Sequence, residues 1–192
     1  GFGLSAMMVD TIFSSDGIHP DPSVLAPACA VVHRAGGVVI TDEVQPGFAR
    51  TGDAMWGFLR HGVVPDIVTM GKPMGNGLPI AAMAARAAVL DDFARGVPYF
   101  NTFGGNPVTV AAAAAVLDVI EDERLMANAA AVGTELRAEL SAIARRHPRL
   151  GDVRGAGLYI GVEIVTETGG ADRAGARALV NAMRERRVLL SV

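Results

Sequence analysis

Cysteine is all but missing. Cys29 is the one thiol among 192 residues, so no internal disulfide can form. It sits in an apolar stretch with helical character, where a small core residue is expected, and a reduced thiol fits a reducing compartment. A cytoplasmic location is the expectation. Blocks of one charge are missing too: 17 basic against 20 acidic residues give a net charge of −3, with neither sign gathered into a phosphate-tracking stripe. That argues against nucleic acid as a partner. No apolar run approaches the length of a membrane span, because the alanine-rich segment 111–117 is cut short by Asp118 and by Glu121, Asp122 and Glu123. No membrane partner is expected.

Several catalytic signatures are also lacking. His19, His33, His61 and His147 show no metal-ligand spacing, so no metal is expected and each reads as a surface or loop residue. A phosphate loop ending at Gly71-Lys72 needs glycine at position 66 and Ser or Thr at 73, where Asp66 and Pro73 stand. The pairs Gly75/Gly77 and Gly155/Gly157 have no third glycine at dinucleotide spacing. The opening GFGLSAMMVDTIF has neither the basic start nor the cleavage site of a signal peptide and reads as the interior of a fold. Position 1 is not Met, which suggests a fragment, a processed chain or a numbering that begins inside a longer protein.

What is present is an α/β pattern rich in Ala, Val and Gly, with 51% apolar residues, enough for a sizeable core. Segment 4–13 is β-compatible, Gly17 to Pro22 form a turn-rich break, and residues 23–35 suggest a helix closed by Gly36-Gly37. The run Val38-Val39-Ile40-Thr41 is a short, continuously apolar strand of the kind buried in a parallel sheet, and it delivers Asp42-Glu43 at its end. A second such strand, Ile67 to Met70, delivers Gly71-Lys72, and a third is expected from Ile80 to Ala84. Helices are expected near 87–95, 106–121 and 123–146. After His147-Pro148 a glycine-spaced stretch surrounds a strand near 158–165, followed by a helix near 171–187. The division expected is a large-domain portion over 1–121, a connecting helix over 122–150, and the start of a smaller α+β domain over 151–192.

In a mostly parallel sheet, ligands bind beyond the carboxyl ends of the strands, which is where Asp42 and Lys72 both fall. Alone, Asp42 reads equally as a carboxylate capping a neighbouring helix or pairing with Arg50, and Lys72 as a solvated loop residue. Together they suit pyridoxal phosphate: a buried carboxylate keeps the pyridine nitrogen protonated, and a lysine that can lose its proton holds the aldehyde.

Three blocks sharpen this reading. TDEVQPGFARTG at 41–52, VPDIVTMGKPMGNGLP at 64–79 and NTFGGNPVTVAAAAAVLDVIE at 101–121 resemble, in order and spacing, the signature blocks of class III aminotransferases. DVRGAGLYIGVEIV at 152–165 resembles the entry to that family's C-terminal domain. The resemblance implies fold type I, with a mostly parallel sheet covered by helices on both faces, and a homodimer with active sites at the interface. It implies pyridoxal 5'-phosphate as cofactor, with a small-molecule amino donor and a keto acid as substrates.

Carried over residue by residue, it gives Asp42 to the pyridine nitrogen, Val44 to the ring face, Gln45 to the phenolic oxygen and Lys72 to the covalent link and catalysis. Thr102 goes to the phosphate of the partner subunit's cofactor. Local chemistry agrees with the last, because Asn106 and Pro107 form a good N-cap and first helical position just after Thr102-Phe103-Gly104-Gly105.

Two departures stand out: Pro46 and Ala49 occupy positions where the family more often has Thr or Val and Gly. The family's other phosphate loop and its ring-stacking aromatic would lie upstream of residue 1. The runs MGKPMGNG, YFNTFGGNP and RVLLS resemble most the branch containing ethanolamine-phosphate phospho-lyase. Leu78 instead matches ordinary transaminases, since that branch usually has His after KPMGNG. Transaminase is therefore the first expectation and phospho-lyase the second, with a catalytically incomplete fragment keeping only a folding and dimerising surface as the rival of another class.

Overall fold

The computed structural model describes residues 3–15 and 17–192. Gly1 and Phe2, read above as part of a fold interior, lie outside these. Strands β1 (Ala6–Asp10), β2 (Val38–Asp42), β3 (Ile67–Met70) and β4 (Ala82–Ala85) form one sheet in that spatial order. The first three are parallel and β4 is antiparallel. Strand β1 is shorter than its apolar segment suggests. The Asp10 carboxylate accepts the N–H of Ile12 (2.9 Å) and of Ser14 (2.8 Å), which turns the chain before the rest of that segment can pair.

Helix α1 (Leu25–Arg34) supplies the core of this sheet. Its Leu25, Cys29 and Val32 pack with Val39 and Val63, and Met7, Val9 and Phe13 close around them. Each such fully buried aliphatic stabilises the fold by roughly 1.5–3 kcal/mol. Cys29 is therefore the core residue expected. Side chains alternate along a strand, so Met8, Ile40 and Asp42 lie on the face turned away from α1. That face is open at its edges, with Met8 61% and Met83 56% exposed.

Beyond the sheet run α3 (Ala87–Gly96), α4 (Pro107–Asp122) and α5 (Leu125–Ala144). Asn106 caps α4 as its sequence predicts, its side-chain oxygen accepting the N–H of Val108 at 3.0 Å and of Thr109 at 3.4 Å. The glycine-spaced stretch contains a strand not anticipated: β5 (Leu150–Ala156) pairs antiparallel with β6 (Tyr159–Ile164), and α5 and α6 (Arg173–Glu185) pack on this hairpin. Glycine explains how the hairpin seats. A Cβ on Gly133 of α5 would lie 2.0 Å from the Gly157 carbonyl oxygen, and one on Gly157 would lie 2.5 Å from that of Arg50. The Leu158 N–H also donates to the Arg50 carbonyl at 3.1 Å. The hairpin turn is thus wedged between α5 and the loop that follows Asp42.

Candidate active site

Strand β2 ends in two carboxylates that part ways. Asp42 is half-buried on the open face, and one of its oxygens accepts the Val44 N–H at 3.0 Å. Among the described residues it takes no other bond, and it makes no ion pair with Arg50. Glu43, next in line, is wholly buried and does what a structural carboxylate does. It accepts the N–H groups of Gly57 (2.6 Å) and Phe58 (2.9 Å), the first turn of the short helix α2 (Gly57–Arg60), and the Thr11 hydroxyl (3.1 Å). Helix capping, one of the two structural readings open for Asp42, falls to its neighbour, and the Asp42 carboxylate is left facing open space.

Lys72 begins a 3-10 turn, Lys72–Gly75, directly beyond β3, and α4 packs against that turn. The lysine is exposed, makes no ion pair among the described residues, and takes φ 40°. That left-handed conformation costs a lysine on the order of 1–3 kcal/mol, and such strain gathers at functional sites. The ends of β2 and β3 meet through Val44, whose Cγ2 lies 3.7 Å from where a Cβ on Gly71 would stand. Asp42 itself is the register partner of Thr69 in β3. Gln45 follows in the same turn, half-buried. Thr102 is fully on the surface, in the turn before α4. There Asn101 Oδ1 accepts the N–H of Phe103 (3.1 Å) and of Gly104 (2.9 Å).

The family model "Aminotransferase class-III" matches residues 3–191. The chain belongs to the class III aminotransferase family. It is 51% identical over 146 residues to the mitochondrial alanine–glyoxylate aminotransferase 2 homolog 2 of Arabidopsis thaliana, covering 76% of this chain and 30% of that protein. Among solved structures it resembles a phospholyase from Arthrobacter in complex with phosphoethanolamine: TM-score 0.95, 45% identity, 100% of this chain and 46% of that one. It also resembles a Bacillus anthracis aminotransferase: TM-score 0.88, 33% identity, 97% and 44% coverage. The class III chain thus spans less than half the length of each of these proteins. Its fold is that of the fold type I pyridoxal-phosphate-dependent transferases.

Pyridoxal phosphate is the cofactor of this family, and the donor set fits it. The strand ends present a carboxylate with open acceptor sites, a branched apolar side chain, an amide and an unpaired amine, the four chemistries that a protonated pyridine, a flat ring, a phenolic oxygen and an aldehyde require.

Two expectations need correction. A cytoplasmic location is overturned by the mitochondrial relative. The physical reason is that a lone reduced thiol reports redox conditions and not which reducing compartment the protein occupies. His61 lies in the turn after α2, a loop residue as expected, but not at the surface: it is 4% exposed, its Nε2 2.7 Å from the Thr11 carbonyl oxygen and its Nδ1 3.1 Å from that of Pro22. The departure at Ala49 acquires a cause, for Ala49 takes φ 63°, a conformation that suits the family's glycine.

Thr11, Glu43, Gly57 and His61 are the residues that sequence reasoning missed. The one available signal was the Asp-Glu pair itself, since two carboxylates ending a buried strand cannot both be solvated.

Proposed function

We propose that the enzyme containing this chain is a pyridoxal-phosphate-dependent aminotransferase that passes an amino group from an amino acid or amine to a keto acid. The observation that carries this is the convergence of an uncommitted carboxylate, Asp42, and a strained, unpaired lysine, Lys72, at the ends of two adjacent parallel strands joined through Val44.

In this reading Asp42 holds a proton on the pyridine nitrogen through a charge-assisted hydrogen bond. Val44 packs on the ring face and Gln45 donates to the phenolic oxygen. Lys72 would hold the cofactor through its aldehyde, and its amine, when free, would take the proton from the substrate's alpha carbon. When bound, the cofactor supplies the electron sink that makes that alpha proton acidic. Thr102, exposed before α4, serves the phosphate of a partner subunit's cofactor in a homodimer. Supporting this, Phe100 (86% exposed) and Phe103 (81%) flank it, an apolar surface that a lone subunit would leave in water.

A second reading is favoured by the phosphoethanolamine-bound phospholyase at TM-score 0.95, namely elimination of phosphate from an amino-alcohol phosphate. Both reactions begin with loss of the alpha proton to Lys72 and differ in whether the adjacent carbon bears a leaving group. Given an amino donor without keto acid, an aminotransferase stops after one turnover, its cofactor left in the amine form, and resumes when keto acid is added. Continuous release of phosphate, ammonia and acetaldehyde from phosphoethanolamine alone would replace the first reading by the second.

A further inference from the structure

Beneath the open face lies a buried polar chain that the proposed chemistry does not use. Thr11 and Glu43 are 0% exposed and His61 4%. His61 reaches the Thr11 and Pro22 carbonyl oxygens, the Thr11 hydroxyl donates to Glu43 Oε1, and Glu43 receives the first two N–H groups of α2. Helix α2 is therefore clipped at both ends, by Glu43 before it and His61 after it, and both clips share Thr11. The space is closed by design of the chain: a Cβ on Gly57 would fall 2.0 Å from Thr11 Oγ1 and 2.8 Å from Pro46 Cβ.

Glu43 is also pinned through its backbone. Its N–H donates to the Thr69 carbonyl at 2.9 Å, continuing the β2–β3 pairing past Asp42, and its carbonyl accepts the Gly47 N–H at 3.0 Å, closing the turn that carries Val44 and Gln45. An isolated buried carboxylate is costly, and burial pushes Glu43 up to about 7 against the downward pull of its three donors. A group retained at that cost, in a position where a capping serine would suffice on the surface, is fixing something.

We infer that Glu43 is a positioning residue: anchored to Thr11 and to the start of α2, it fixes the backbone from which Asp42, Val44 and Gln45 reach the cofactor. The inference rests on the cofactor reading above and concerns side chains on the opposite face of the strand end. Misplacing a site by an ångström is costly even when every contacting residue is intact.

The test uses the full-length parent, with Glu43→Ala, Glu43→Gln and Thr11→Val, and measures affinity of the apoenzyme for pyridoxal phosphate, the absorbance of the bound cofactor, and apoenzyme melting. Glu43→Ala should weaken cofactor binding about tenfold or more and shift the absorbance band, with Glu43→Gln recovering part of both because its single amide oxygen keeps an acceptor for one of the two α2 N–H groups. Wild-type affinity and spectrum in Glu43→Ala, whatever its melting temperature, would overturn the inference. If Glu43→Ala does not fold, Thr11→Val decides: a weakened affinity supports positioning, and an unchanged one overturns it. A wild-type parent that binds no pyridoxal phosphate would sink the cofactor reading and this inference with it, an outcome distinct from failure in the variants alone.

Discussion

At the scale of single residues, the two ends of β2 and β3 illustrate how neighbours in sequence divide work. Asp42 and Glu43 are both carboxylates, yet one accepts a single backbone N–H and the other is saturated by three donors. Removing the open one should therefore cost chemistry more than stability. In the parent enzyme Asp42→Asn should still bind pyridoxal phosphate, weakly, while turnover falls by several orders of magnitude, because an amide does not stabilise the pyridinium. Cofactor titration alongside steady-state assay separates the two, and near-normal turnover would return Asp42 to a structural role. Lys72→Ala should abolish borohydride fixation of the cofactor, and Lys72→Arg equally, since a guanidinium stays protonated. Retained fixation in either would remove Lys72 from its assigned role. Ala49 is a subtler case. Ala49→Gly relieves left-handed strain of roughly 1–2 kcal/mol, but loses a buried methyl worth about 0.8 and adds unfolded-chain entropy of about 0.4–1. The opposing effects leave stability within about 1 kcal/mol of the original, which denaturant melts of the parent can check, and which explains how alanine persists where glycine is usual.

At the scale of elements, the fold depends on close approaches that only glycine allows. Gly133→Ala places a methyl on the backbone of Gly157, which has no flexible end to yield, so α5 and the β5–β6 turn must separate. We expect a loss of about 3 kcal/mol, although alanine for glycine inside an unpacked helix would stabilise it by about 1. Thermal or denaturant unfolding of the variant parent tests the sign. The same contact shows where sequence reading runs out. Strands β2 and β3 were legible because continuous apolar runs of four residues end in charge, and the α4 cap because Asn106-Pro107 has one natural reading. Helix α2 is one turn long and carries no period, and β5 is hidden by Gly151 and Gly155, which weaken strand propensity, although Gly155 here admits the Tyr159–Ile160 backbone of β6. Within the site, the pairing of Asp42 with Lys72 followed from strand ends. The role given to Gln45 rested on resemblance alone and that of Thr102 on resemblance with the helix start at Asn106-Pro107, while Glu43, Thr11 and His61 went unseen because their bonds span 14 to 50 positions of chain.

At the scale of the whole molecule, the proposed homodimer predicts a site shared between two chains. Thr102 lies on a surface bearing Tyr99, Phe100 and Phe103 at 72%, 86% and 81% exposure, and such a patch rarely faces water. If two parent subunits associate across it, each site takes its lysine from one chain and its threonine from the other. Complementation then follows from counting. Lys72→Ala and Thr102→Val parents are each impaired, but a mixed dimer contains one site carrying both lesions and one carrying neither. Refolding the two variants together in equal amounts makes half of the dimers mixed, each with a single intact site of two, so activity should recover to about a quarter of the wild-type level by simple statistical pairing. Chains that each completed their own site would give two lesioned sites in every mixed dimer. No recovery above the separate variants would then be measured, and Thr102 would lose its cross-subunit role while Asp42 and Lys72 kept theirs.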